Sequence, residues 1–134
     1  MKGTLGHRIL LVALLLAGCG RGVPSATSVA CPDTVVGCRL ALGHGLVTAR
    51  FSASPRALHP FVLEVDAPDA AAVKADFSMV GMEMLPNRYD LVRGADGRWR
   101  AQVILPVCAS GRRDWKLALA VDDEAGSMTF SVSR

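Results

Sequence analysis

A chain of 134 residues is long enough for one domain with a real but modest core. Its hydrophobic share is 51%, and fifteen basic side chains stand against twelve acidic ones for a formal charge of +3. So slight an imbalance argues against nucleic acid as a partner, since such a groove would cluster basic residues and alternate them with exposed aromatics.

Lys2 and Arg8 form a short basic start, and Ile9 to Ala17 is almost wholly apolar. That run covers about nine residues where a membrane span needs about 20, so it reads as a cleaved export leader. Small residues flank the cysteine in Leu16-Ala17-Gly18-Cys19, and the pattern resembles the bacterial lipobox. The resemblance implies a signal peptide over residues 1–18, cleavage before Cys19, and diacylglycerol on the Cys19 sulfur. Two or three acyl chains would anchor the mature protein firmly, whereas one would hold it weakly. Gly20 is not the Asp associated with inner-membrane retention, which favours a periplasm-facing position on the outer membrane. Loss of Lys2 and Arg8 with the leader brings the charge from +3 to +1. Residues 19–35 then read as a lipidated cysteine with a small, polar, Pro-containing tether, and residues 36–134 as the folded domain.

Export places Cys31, Cys38 and Cys108 in an oxidising compartment, so a disulfide between two of them is expected. A Cys38–Cys108 bond is favoured, because it would close a loop of about 70 residues and remove roughly 4 kcal/mol of denatured-state entropy. The competing Cys31–Cys38 bond would make only a local ring at the domain entrance.

Beyond the tether the apolar period is two. Val47, Ala49 and Phe51 share a face; so do Phe61, Leu63 and Val65, and then Val73, Ala75, Phe77 and Met79. Tyr89 and Leu91 continue the alternation. Trp99, Ala101, Val103 and Leu105 form a further row, followed by Trp115, Leu117, Leu119 and Val121, and by Met128, Phe130 and Val132. Such segments read as strands with one buried face. Turn residues separate them at Gly43-His44-Gly45, Ser54-Pro55, Ala67-Pro68-Asp69, Ala95-Asp96-Gly97 and Asp122 to Gly126. Ala95-Asp96-Gly97 is the clearest hairpin signal, joining strands near 88–93 and 98–105. About seven strands and no amphipathic helix predict an all-β antiparallel sandwich. A ferredoxin-like fold would need two helices, and the helix-friendly stretch from Asp69 to Lys74 is too short for one.

The functional candidate is the methionine cluster in Phe77-Ser-Met79-Val-Gly-Met82-Glu-Met84-Leu-Pro-Asn. Thioethers are soft donors that suit Cu(I), and they persist where thiols are oxidised. Met82 and Met84 point the same way in an extended segment. Met79 joins them only if Gly81 bends the chain, a conformation glycine permits. Methionine also fills core gaps, and both Met79 and Met128 fall on inward rows. His59, ahead of Pro60, is a further candidate ligand, and His44 a weaker one. No H-E-x-x-H, G-x-S-x-G or C-x-x-C occurs, and no nucleophile–base constellation marks an enzyme. Glu83, Asp90 and Asp114 are lone carboxylates among positive neighbours and read as paired surface charge.

The segment from Phe77 to Tyr89, with Gly97-Arg-Trp-Arg-Ala and Leu105-Pro-Val-Cys-Ala-Ser-Gly-Arg-Arg-Asp-Trp115, resembles small exported proteins with a YtkA-like or FixH-like domain. The resemblance covers roughly residues 38–133. It implies an immunoglobulin-like sandwich, a G-M-x-M element at Met82 and Met84, and a cysteine pair at Cys38 and Cys108. Leu85-Pro86 stands where glycine is expected, which stiffens the loop. Some proteins of this kind resemble those encoded beside copper-delivery and cytochrome oxidase assembly factors. The expectation is therefore a lipid-anchored, non-enzymatic domain that binds or delivers Cu(I) through Met82 and Met84, with Met79, His59 or a partner as third ligand. The alternative is a metal-free envelope interaction domain, its methionines an adaptable apolar contact surface.

Overall fold

The structure is a computed structural model that describes residues 28–43 and 45–133; the leader, Cys19, the tether up to residue 27, and His44 lie outside the described residues. Alternating apolar residues form ten strands: β1 (Ser28–Ala30), β2 (Cys38–Leu42), β3 (Gly45–Phe51), β4 (Phe61–Asp66), β5 (Val73–Met79), β6 (Asn87–Asp90), β7 (Val92–Arg93), β8 (Trp99–Val103), β9 (Asp114–Val121) and β10 (Glu124–Ser131). They make two five-stranded sheets of order β1-β10-β9-β5-β6 and β2-β3-β4-β8-β7. Their inner faces close on one core, so the all-β sandwich expected from the sequence is what the chain forms. Every ladder is antiparallel except β1 with β10, which runs parallel and pairs Ser28 with Ser127 and Ala30 with Thr129.

Ten strands among the described residues, rather than about seven, result from two added strands and one divided one. Ser28–Ala30 lies within the stretch read as tether yet adds an edge strand, and Cys38–Leu42 pairs with β3 around the Gly43–Gly45 turn. The predicted strand near 88–93 also divides. Asn87–Asp90 pairs with β5, Val92–Arg93 pairs with β8 in the other sheet, and the buried Leu91 carries the chain across. The Ala95-Asp96-Gly97 hairpin joins β7 to β8, with Gly94 N–H donating to the Arg98 carbonyl at 2.8 Å.

The inward rows bury as the alternation predicts, apart from Ala101 and Tyr89, which are half-buried. Phe51 lies 4.7 Å from Phe61 and 5.1 Å from Phe130 between ring centroids, and Phe77 stands edge-on to Tyr89 at 5.9 Å. The Trp99 indole N–H donates to the Ala67 carbonyl at 3.1 Å, which satisfies its polar atom inside the core. At the β9–β10 turn Asp122 adopts a φ of 52°, and its carboxylate accepts the Ala71 and Ala72 N–H groups at 2.9 and 2.8 Å.

The disulfide corrects the expected pairing: Cys38 is bonded to Cys31, not to Cys108, and Cys108 is free. Residues 32–37 fold into a tight turn that brings the two cysteines to a Cα separation of 5.8 Å. Asp33 drives it by accepting the Val35 and Val36 N–H groups, each at 3.0 Å, and the Gly37 N–H on its carbonyl at 3.1 Å. Gly37 takes a φ of 97°, and a Cβ there would stand 2.9 Å from that of Arg50. Cys108 follows β8, which β3 and β4 separate from β2 by three strand spacings, about 14 Å. A disulfide cannot bridge that distance.

Candidate functional site

One end of the sandwich carries a groove of about 670 Å³ where β5 and β8 finish and β6 begins. The bend expected at Gly81 builds one wall. Met82 N–H donates to the Met79 carbonyl at 3.3 Å, closing a four-residue turn with Gly81 at a φ of 72°. That positive φ fits the third position of a type II turn, which glycine occupies without a Cβ clash. A second turn opposes it, in which Gly111 N–H donates to the Cys108 carbonyl at 3.0 Å. The Arg112 guanidinium reaches between the two and donates to the Val80 carbonyl at 3.0 Å.

Tyr89 fixes the far side. Its hydroxyl donates to the Ile104 carbonyl at 3.1 Å and accepts the Ile104 N–H at 3.2 Å, while Asn87 Nδ2 donates to the same carbonyl at 3.3 Å. These bonds tie the segment after β8 to the strand that opens the other sheet's edge. Leu58 completes the rim in a left-handed conformation (φ 61°), its N–H held by the Leu105 carbonyl at 2.9 Å.

Met79, Met82 and Met84 all line this groove. Met79 is buried at its floor, Met84 is half-buried against the core, and Met82 is 36% exposed. His59 is not in the wall: it is exposed, and its Nδ1 lies 2.9 Å from the Ala57 carbonyl. Met128 is fully buried, in keeping with its inward row. The residue that sequence reasoning placed elsewhere is Cys108, which lines the groove with the three methionines. Its assignment to a disulfide hid it. Cys108 Sγ stands 2.9 Å from Ser110 Oγ. The Ser110 hydroxyl holds the thiol below its ordinary range, against partial desolvation and with help from the Arg112 and Ser110 backbone N–H groups.

Among the described residues no three His, Cys, Asp or Glu side chains converge on a point that could hold a metal ion. Any metal at the groove would depend on its sulfur donors, the three thioethers and Cys108. The rim is strongly apolar: Leu58, Met82, Leu85, Ile104 and Val107 are all exposed there, Leu85 by 86% and Val107 by 61%.

Fold and site together define a two-sheet β-sandwich with a sulfur-lined apolar groove at one end. Comparison of the chain with protein-family models, curated proteins and solved structures finds no match.

Proposed function

We propose that this is a non-enzymatic interaction domain of the bacterial cell envelope, anchored through lipid on Cys19, that docks an apolar segment of another envelope protein in the groove. The observation that carries this reading is the crowding of exposed apolar side chains. Half of the large hydrophobics left exposed among the described residues sit on the rim of this one groove. A monomer that leaves such a patch open to water gains by covering it. Methionine suits the task because its unbranched side chain adapts to irregular surfaces.

The sandwich itself we read as immunoglobulin-like. The run β10-β9-β5-β6 facing β3-β4-β8-β7 supports this, since it follows the order G-F-C-C′ facing A-B-E-D. Phe77 on β5 then occupies the strand where such domains carry a core aromatic.

The test is site-specific photo-crosslinking in cells, using the full chain with the probe at Leu85, at Val107, or at Val92 as an exposed control on the edge strand β7. A discrete adduct from each of the two groove positions, the one from Leu85 being lost on Val107→Glu, is the expected result. Equal labelling from Val92, or no adduct from the groove, would remove the docking reading.

A second reading, capture and delivery of Cu(I) to copper-handling or oxidase-assembly proteins, is favoured by one observation. Three thioethers, Met79, Met82 and Met84, line the same groove, and such donors select soft cations. His59 adds nothing to it, lying outside the wall.

A further inference from the structure

We infer that the groove is a mixed thiolate–thioether site for a soft monovalent cation, Cu(I) or Ag(I), with Cys108 as its anionic ligand beside Met82 and Met84. This rests on the Cu(I) reading and changes its chemistry, because thioethers alone give a neutral site. A cation leaving water for an apolar groove needs a compensating charge, and methionine brings none. Among the described residues the wall contains no Asp, Glu, His, Lys or Arg side chain, and Cys108 is the one lining residue that can become an anion. Glu83 stands between Met82 and Met84 in sequence but is exposed and is not among the residues that line the groove.

Two further observations place the thiol for this role. The Cys31–Cys38 bond consumes both other cysteines among the described residues, which leaves Cys108 reduced and without an intramolecular partner there. The turns that carry Met82 and Cys108 are locked across the groove by Arg112, through its bond to the Val80 carbonyl at 3.0 Å. The sulfur donors are thus presented by two tied segments rather than by one flexible loop. Binding balances simply: the Cys108 S–H bond breaks, its proton passes to water, and an S–metal bond forms with no change of oxidation state. A bound metal would also shield the thiol from oxidation in an oxidising compartment.

The experiment uses the full chain carrying Cys19→Ser, with the Cys31–Cys38 bond confirmed by mass, so that Cys108 is the sole reduced cysteine. Cu(I) is titrated anaerobically against a competing chelator, and thiolate-to-copper absorption, proton release and methionine methyl NMR are followed. One equivalent should bind with release of one proton. Cys108→Ser should weaken binding by at least about a hundredfold, beyond the loss expected for an outer-shell partner, and abolish the thiolate absorption. Met82→Ala with Met84→Ala should weaken it by at least about tenfold, and His59→Ala should leave it unchanged. In the unmutated groove, metal should protect Cys108 from alkylation, a readout that survives if a variant fails to fold.

Binding that persists in Cys108→Ser but falls in the methionine variant overturns the thiolate assignment and leaves the Cu(I) reading standing. Loss in Cys108→Ser with no effect of the methionine variant reduces the site to a bare thiol and overturns the mixed site. Absence of binding in the parent overturns both.

Discussion

Glu64 shows how much a single carboxylate can organise on a sheet surface. It accepts from Arg50 Nε at 2.7 Å, from Arg100 Nε at 2.9 Å, and lies 3.4 Å from an Arg98 nitrogen. Partial desolvation raises its carboxyl, but hydrogen bonds from Arg100 and Arg50 outweigh that and hold it below the usual glutamate range. A lowered folded-state value means the contribution to stability is complete above the ordinary value of about 4.3 and is lost as pH falls through the folded value. The guanidinium partners are more than one-third exposed, so screening keeps the contribution near 1 kcal/mol. Glu64→Gln should therefore lower stability by about 1 kcal/mol at pH 7, and urea denaturation should show the gap closing as pH falls from neutral through and below the ordinary glutamate range. A gap that stays constant across that range would show the charge to be idle. Sequence reading singled out Glu83, Asp90 and Asp114 and passed over Glu64. Its partners lie 14 and 36 residues away and meet it only across strands, so no local charge pattern reveals them. Asp90, which was singled out, pairs with Lys74 across β5 and β6 at 3.5 Å.

At the scale of elements, the Cys31–Cys38 bond does more than its short loop suggests. Cys31 follows β1 at the edge of one sheet, and Cys38 opens β2 at the edge of the other. The bond therefore clips the two sheets together where no strand pairing joins them. A loop of seven residues still removes only about 2 kcal/mol of denatured-state entropy. Replacing both cysteines with alanine should cost about that much in chemical denaturation while leaving the β10–β9–β5 ladder protected from hydrogen exchange. A loss of protection throughout would mean that the clip is needed for the whole fold. The loop-entropy argument favoured Cys38–Cys108 because longer loops gain more, but it carries no information on which cysteines can touch. The Asp33 turn did carry it, in the sequence Asp33-Thr-Val-Val-Gly37. The division of the 87–93 segment between sheets was illegible for a different reason: alternation continues through Leu91, and period two looks the same when a strand changes sheet.

For the molecule as a whole, stability is centred on one aromatic cluster drawn from both sheets. Phe77 is fully buried and lies 6.3 Å from each of Phe51, Phe61 and Phe130. Phe77→Ala should cost about 3–5 kcal/mol, a large share of the 5–15 kcal/mol that a domain of this size commands. Val92→Ala, on an exposed edge, should shift the urea midpoint little. Comparable midpoints for the two variants would remove the cluster from its central position. The sandwich was readable because each row of Val, Leu and Phe declares its own buried face. The groove was readable only in part. Gly81 announced the bend that gathers the methionines, but the opposite wall comes from residues 104–110 and from Leu58, and nothing in those segments alone indicates what they face.

The parallel strand β1 gives the domain a mechanical polarity. It starts beside Ser127, in the middle of β10, and runs toward the end that bears the groove. Tension applied to the chain ahead of Ser28, directed back along that path, would act along the strand and load its hydrogen bonds together in shear rather than peeling them one by one. Beyond the ladder the covalent Cys31–Cys38 clip would pass the load into the second sheet. Were the chain anchored at Cys19 as proposed, a pull from the membrane would reach the fold through the start of β1, the end of that strand farther from the groove.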